Sequence, residues 1–446
     1  MIPSVLCQLP VWALSLGCPK NRVDTEKLLG SLGIPVRLVK HLGKSKVIFI
    51  NTCAFIEPAA RESIREILAI TERVKTLKHK PLIVVAGCLP GRYGKKELRK
   101  EIPEVDLWLS PDELSQWPAL LLSCLKQNPH SNSGRFFSSP LPYAWLKIAD
   151  GCNHNCSFCT IPSFRGLYRS ESAPEILAEA ANLLERGVKE LILVAQDLTM
   201  WGKSGSNFNS RVAGNSQNLT DLLASLAELK GLRWLRMLYL YPATLEESLL
   251  RFVASHGLPV LPYFDIPFQH SESRILASMG RPFSINPRDL VEKIRSLVPG
   301  CALRSTFIVG YPGETDKDFE NLCEFVSQAR FTNMGVFTFH CEDGTVASSL
   351  PDQIPEEIKV ERKRILMEIQ ANISRDFLAQ FVGKKMSVLV DASDFAEWPG
   401  LYKGRVWFQA PEIDGISYIS GPDVKVGAMC EAAIQDSGVY DLSALN

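Results

Sequence analysis

The stretch that decides the fold runs from Tyr143 to Gly166, YAWLKIADGCNHNCSFCTIPSFRG. Residues 143–149 are apolar enough for a strand buried on both faces and too few for a helix. Three cysteines follow at once, Cys152, Cys156 and Cys159, on a loop opened by Asp150 and Gly151. Three thiolates this close can wrap three corners of a cubane iron–sulfur cluster, since soft sulfur ligands suit iron and sulfide. A 4Fe-4S cube has four corners, so one iron stays open to the amino and carboxylate groups of S-adenosylmethionine. An electron passed to the sulfonium then breaks a C–S bond and leaves a 5′-deoxyadenosyl radical. The competing reading is a structural zinc site with His154 as fourth ligand. Zinc sites usually use two separated ligand pairs, and His154 lies between the cysteines where wrapping one ion is awkward. The loop therefore reads as iron–sulfur, and His154 as a loop residue.

Downstream of this loop the sequence keeps a rhythm. Strand-like runs at 143–149, 190–195, 234–240, 260–266, 302–309 and 334–340 alternate with amphipathic stretches at 173–186, 219–230, 244–255, 271–279, 287–298 and 315–329. Six such units predict a partial (βα)6 barrel of parallel strands, whose active site gathers at the strands' C-terminal ends. Polar residues there become cofactor-binding candidates: Gln196, Asp197, Asp265, Gln269, Arg304 and Gly310. Arg304 and Thr306 lie in the fifth strand, which closes with residues 310–314 (GYPGE), and the PSFRG segment 162–166 follows the cysteine loop. A structural role explains any one of them equally well. His270 is a poor acid–base candidate, because hydrogen abstraction by a radical needs no proton transfer. The polar stretch 201–218 reads as a surface loop.

Upstream, residues 11–125 alternate strand and helix, with buried strands at 13–16, 47–50 and 82–86 and a helix over 58–74. This predicts a small parallel-sheet α/β domain. Cys18 (SLGCPKN), Cys53 (INTCAF) and Cys88 (VAGCLP) each follow one of these strands. In a parallel sheet the three strand ends share one edge, so the thiols converge there and form a second three-cysteine set with one open iron. A buried apolar role is the ordinary fate of a lone cysteine, and it is assigned to Cys7, Cys124, Cys301, Cys323, Cys341 and Cys430. The Ser-, Asn- and Pro-rich residues 127–142 read as a linker.

At the other end, a charged helix near 356–380 leads to residues 381–446, where β-type segments at 386–390, 401–408 and 417–419 are punctuated by Gly and Pro. That predicts a small β-barrel. It carries five basic and nine acidic side chains, a net −4, although the whole chain has 49 of each sign and no net charge. Bulk electrostatic binding of nucleic acid is thereby excluded, while a local patch is not. The basic stretch 92–100 (RYGKKELRK) reads as a solvated helix face. No apolar run approaches the ~20 residues that span a bilayer. The segment before Cys18 lacks the basic start of a signal peptide, so a cytoplasmic protein is expected. Twelve cysteines in 446 residues are too sparse for a disulfide scaffold and too clustered for chance, which suits metal or redox chemistry.

Taken in order, the strings SLGCPKNRVDTE, INTCAFIEPA, DGCNHNCSFCTIPSFRG, DIPFQH, LRSTFIVGYPGET, LPDQIPEE and QAPEIDG resemble the radical S-adenosylmethionine methylthiotransferases over essentially the full chain. Within that family the chain looks most like members that methylthiolate an aspartate of small-subunit ribosomal protein S-twelve. The resemblance implies a cluster-binding domain at 9–126, a radical barrel at 138–376 and a TRAM β-barrel at 379–446. It implies two 4Fe-4S clusters, an auxiliary one on Cys18, Cys53 and Cys88 and a radical one on Cys152, Cys156 and Cys159. Two S-adenosylmethionine molecules per turnover are implied, one a methyl donor to sulfur, the other the radical source for attack at the aspartate β-carbon. Implied partners are S-twelve or its ribosomal subunit, with flavodoxin or ferredoxin as electron donor. One departure stands at Gly280, where relatives usually carry a second basic residue. Close relatives act on a tRNA adenosine instead, but an RNA-gripping barrel should be basic, whereas an acidic one suits a basic ribosomal protein. A tRNA methylthiotransferase is the first alternative, and a non-catalytic iron–sulfur protein docking on ribosomes the second.

Overall fold

A computed structural model of the chain describes residues 8–127, 134–138, 142–203, 218–281, 286–393 and 398–446. Cys7, much of the expected linker and most of the loop at 201–218 lie outside them. The chain divides into two units, one of residues 1–140, 150–154 and 159–168, the other of 141–149, 155–158 and 169–446.

In the first unit, β1 (Leu9–Ser15), β2 (Val36–Leu38), β3 (Val47–Thr52), β4 (Leu82–Gly87) and β5 (Leu107–Leu109) form one parallel sheet in the order β2-β1-β3-β4-β5. Every residue of β3 is buried, as expected for a central strand covered on both faces. Alternation does the sorting. Ile48, Ile50, Ile83 and Val85 join the apolar layer under the helix Glu57–Lys75, while Val47, Phe49, Val84 and Ala86 face the layer shared with Pro19–Ser31 and Trp117–Leu125. The edge strands β2 and β5 were not expected. Each is three residues long, too short for a periodic signal.

The second unit opens with β6 (Tyr143–Lys147) and includes β8 (Arg169–Ser170), while the two-residue β7 (Ala149–Asp150) straddles the division, Asp150 counting with the first unit. The barrel continues through β9 (Glu190–Val194), β10 (Trp234–Met237), β11 (Val260–Asp265), β12 (Ala302–Val309) and β13 (Asn333–Thr338). These form a parallel sheet in the order β13-β12-β11-β10-β9-β6, so the six predicted strand–helix units are present. Three helices start with reciprocal capping boxes, Ser172 with Glu175, Asn218 with Asp221 and Thr315 with Asp318, which satisfy N–H groups the helix cannot.

The helix Glu356–Ala379 looks charged in sequence, yet it buries Lys359, Arg362 and Gln370. Each has a carbonyl or carboxylate to bind: Lys359 Nζ donates to Phe339 O at 3.0 Å, Arg362 Nη1 to Glu314 Oε1 at 3.0 Å and Gln370 Nε2 to Phe331 O at 2.8 Å. Beyond it β14 (Lys385–Ser393), β15 (Leu401–Arg405), β16 (Ser417–Ser420), β17 (Met429–Ser437) and β18 (Leu442–Leu445) close into a barrel in the order β14-β15-β16-β18-β17. The expected strand at 401–408 stops at Arg405. Residues 406–414 leave the sheet for the N-terminal end of the larger barrel, where Arg236 Nη1 donates to Trp407 O at 2.8 Å and Tyr263 Oη to Asp414 Oδ2 at 2.7 Å.

Candidate active site

Register brings the first cysteine set together. Ser15 lies opposite Asn51, and Thr52 opposite Gly87, so β1, β3 and β4 end side by side and hand Cys18, Cys53 and Cys88 to one edge. Two glycines permit the crowding. Gly17 sits at φ +82°, and a Cβ there would stand 2.6 Å from Cys53 Cβ and 2.8 Å from its Sγ. At Gly87, φ +98°, a Cβ would fall 2.2 Å from Asn51 Oδ1. Only glycine holds both conformation and space.

Asn21 ties the three loops to each other. Its Nδ2 donates to Leu16 O at 3.0 Å and Thr52 O at 2.9 Å, and its Oδ1 lies 4.0 Å from both Cys18 Sγ and Cys88 Sγ. Thr52 Oγ1 donates to Ala86 O at 2.6 Å, and Ser63 brackets Cys53 by accepting from its N–H and donating to its carbonyl. The buried Arg165 guanidinium completes the cluster, donating to Asn21 Oδ1 at 2.5 Å, Cys88 Sγ at 3.6 Å and Asp24 and Asp150 at 3.1 Å each.

Burial pushes the Cys53 thiol up to about 12 and raises that of Cys88 as well. Protonated thiols of that kind are poor nucleophiles. A bound metal deprotonates such thiols outright and supplies the missing positive charge. Three cysteine sulfurs brought to one edge, with no histidine among them, fit a cluster whose irons are ligated one by one. Among the described residues no three His, Cys, Asp or Glu side chains are grouped so as to hold a single metal ion.

The second set divides between the units, Cys152 and Cys159 in the first and Cys156 in the second. In the first, Cys152 N donates to Gly166 O at 3.1 Å, and His154 N points at Cys152 Sγ at 3.4 Å. Gly151, at φ +79°, is packed so that a Cβ would sit 2.2 Å from Leu167 O. In the second, Ser157 N donates to Met279 O at 2.9 Å and its hydroxyl to Ser278 O at 2.9 Å. Buried Arg281 stacks 4.4 Å over the Tyr241 ring and directs Nη1 to Cys156 Sγ at 3.6 Å. Gly280 has φ +67° and lies against the cysteine loop; a Cβ would stand 2.5 Å from Asn155 O. The glycine at this unusual position is thus matched by a tight local backbone.

The six strand-end candidates are placed unequally. Asp197 caps its own turn, accepting from Thr199 N at 2.8 Å. Asp265 accepts from Tyr239 N at 3.1 Å and from Arg304, whose Nε reaches Asp414 at 3.3 Å. Gly310, at φ +73°, donates to Glu314 Oε2 at 2.5 Å, and a Cβ there would meet Lys359 Cγ at 2.3 Å. These four have structural work within the protein. Gln269 differs: it is a non-glycine at φ +73°, held by its N–H to Thr306 O and its carbonyl from Ile308 N, each at 2.8 Å. Tyr239, at φ +65° after β10, shares that conformation. Such strain gathers at functional sites; no sequence pattern marked Tyr239. Gln196 follows β9 at the same rim, half-buried.

Comparison with known proteins decides the family. The radical SAM superfamily model matches residues 146–326, the uncharacterized family UPF0004 model 11–110 and the TRAM domain model 382–445. A protein of Nitratidesulfovibrio vulgaris named ribosomal protein uS12 methylthiotransferase RimO is 51% identical over 437 residues, covering 98% of this chain and 100% of the relative. The chain belongs to the RimO family of radical SAM methylthiotransferases. A RimO of Aquifex aeolicus, 42% identical, covers 98% of this chain and 96% of its own length. Among solved structures, the radical S-adenosylmethionine methyltransferase TsrM of Kitasatospora setae, with cobalamin and a [4Fe-4S] cluster bound, matches at TM-score 0.55 and 12% identity. It covers 89% of this chain and 80% of that one, and shows a shared fold. The loop spacing and the three strand ends had already singled out the six cysteines in the sequence. Asn21 and Arg165 lay inside quoted strings without a role, and Arg281 beside Gly280 was not singled out, because their partners are 67 to 144 positions away.

Proposed function

We propose that this enzyme methylthiolates the β-carbon of an aspartate in ribosomal protein uS12, giving 3-methylthioaspartate. It works with S-adenosylmethionine and 4Fe-4S clusters. The observation that carries the reading is the convergence of Cys18, Cys53 and Cys88 at one sheet edge in a chain that also bears Cys152, Cys156 and Cys159. In this reading the first three hold an auxiliary cluster and the second three the radical cluster. Held by Cys152, Cys156 and Cys159, a cluster with S-adenosylmethionine would supply the radical chemistry that takes a hydrogen atom from an unactivated carbon.

The chain's own residues orient and shield that chemistry. Hydrogen bonds through Gly166 and Met279 fix the backbone on either side of the radical loop. Gln196 and Gln269, at the barrel rim, would contact S-adenosylmethionine, while Asp197, Asp265, Arg304 and Gly310 hold the surrounding strand ends through contacts within the protein. No general base is required, and His270 provides none. It is fully buried, accepts from Glu272 N through Nδ1 at 3.0 Å, and burial lowers its pKa to about 3.

Charge supports uS12 over tRNA. Arg405, Asp391 and Asp414 of the small barrel are engaged in inward ion pairs. By sequence the rest of that module carries four basic and seven acidic residues, a charge balance that favours a basic protein over phosphate. Three parts, 9–126, 138–376 and 379–446, are assigned to cluster binding, radical chemistry and substrate docking. Among the described residues no helix is long and apolar enough to cross a membrane, and the reading places the reaction in the cytoplasm with flavodoxin or ferredoxin as electron donor. Mass spectrometry of ribosomal proteins and tRNA nucleosides from a strain given this gene as its sole methylthiotransferase tests the reading. One methylthio group on uS12 is expected. Methylthio-adenosine in tRNA with unmodified uS12 would overturn it.

A further inference from the structure

Arg165 follows Cys159 by six residues, yet its side chain goes to the other cysteine set. It is 3% exposed and lies between Asp24, Asp150, Asn21 and Cys88. Burial opposes its charge, but Asp150, Cys88 and Asp24 together hold its pKa well above the ordinary arginine value. Asp24 and Asp150 alone would leave this pocket doubly negative beside three thiol ligands. A negative pocket disfavours both the thiolates and any added electron. The guanidinium offsets one of those charges and, through its planar fork, also donates to Cys88 Sγ.

We propose that Arg165 is a positioning residue of the Cys18–Cys53–Cys88 site, bracing the Cys88 sulfur and holding the reduction potential of the cluster bound there above the value its carboxylate neighbours would impose. This rests on the reading that those three cysteines hold an auxiliary cluster. Hydrogen bonds to the sulfurs and local net charge are two of the terms that set such potentials. The short helix Ile161–Arg165 that delivers the guanidinium is anchored on the same unit, with Phe164 in the apolar layer of Cys88 and Thr160 Oγ1 donating to Phe55 O at 3.2 Å. A segment beginning at a ligand of the radical loop therefore ends against a ligand of the auxiliary site.

The test uses full-length protein in which Cys152, Cys156 and Cys159 are all alanine, reconstituted anaerobically, so that only the auxiliary site can load. Into this background go Arg165→Met, Arg165→Lys and Asp24→Asn. Iron per chain and the midpoint potential, from dithionite titration followed by electron paramagnetic resonance, are the readouts. Removing the cation is expected to make the cluster at least tenfold harder to reduce, a fall of 59 mV for a one-electron couple. Arg165→Lys should fall less, and Asp24→Asn should shift the opposite way. Opposed signs are a signature that loosened packing does not give. Loaded Arg165→Met protein with an unchanged potential overturns the proposal, as does loss of iron from all three variants, which would assign Arg165 a purely structural role. If the background protein itself takes up no iron, the auxiliary-cluster reading fails instead.

Discussion

Gly17 and His270 show how single positions constrain the chemistry. Because a Cβ at Gly17 would overlap the Cys53 side chain, Gly17→Ala should displace that thiol. Reconstituted protein is then expected to hold about four irons per chain instead of about eight, the content of one cubane against two; undiminished iron would show that the close approach is dispensable. His270 binds a proton below about 6.5 when unfolded but, with burial as the first cause, only below about 3 when folded. Its contribution to stability is present above pH 6.5 and is lost as pH falls through that window, by about 1.4 kcal/mol per pH unit. The melting temperature of apoprotein should therefore drop more steeply between pH 6.5 and 5 in the wild type than in His270→Asn. Parallel profiles would contradict this. The six candidate cysteines could be singled out because a loop spacing and three strand ends are local patterns. Asn21 and Arg165 were not, because hydrogen-bond partners 144 positions apart leave no trace in a linear reading.

At the level of elements, the long helices and central strands followed from periodicity, and capping residues sharpened several helix starts. The failures were the short edge strands and the end of β15. Val406, Trp407 and Phe408 continue an apolar run, so the sequence reads as strand; the chain turns away because its carbonyls and charges meet partners on the large barrel. Arg405 donates to Glu190 at 2.5 Å and Asp391 at 2.6 Å, Arg236 reaches the same Glu190 at 2.7 Å, and all four side chains are largely or wholly buried. A buried cation with two carboxylates is costly to break from one side. Arg405→Leu should lower stability by about 3–5 kcal/mol, seen as a fall of several degrees in the calorimetric melting temperature. A shift under one degree would mean that the seam is not an energetic tie. Replacing surface Lys425 in the same module should leave the transition where it is.

Over the whole molecule, zero net charge conceals an acidic small barrel on a neutral chain, and the division of labour follows the cysteines rather than the charge. Composition excluded bulk nucleic-acid binding, and the order of motifs gave the family; the inward ion pairs that consume Arg405, Asp391 and Asp414 became visible only in three dimensions. Charge reversal at exposed Asp423, Glu431 and Asp436 should weaken binding to uS12 and flatten its salt dependence, without altering 5′-deoxyadenosine release in the absence of uS12; isothermal titration at two ionic strengths checks it, and unchanged affinity would move the docking surface elsewhere. The two three-thiol sites are read as doing separate jobs, one making the radical and the other presenting sulfur. The direct measurement is a paired assay of Cys152→Ala and Cys88→Ala, reconstituted anaerobically and given reductant, S-adenosylmethionine and uS12. Cys152→Ala should release no 5′-deoxyadenosine and leave uS12 unmodified, whereas Cys88→Ala should still release 5′-deoxyadenosine yet add no methylthio group. Full methylthiolation by either variant would contradict the account.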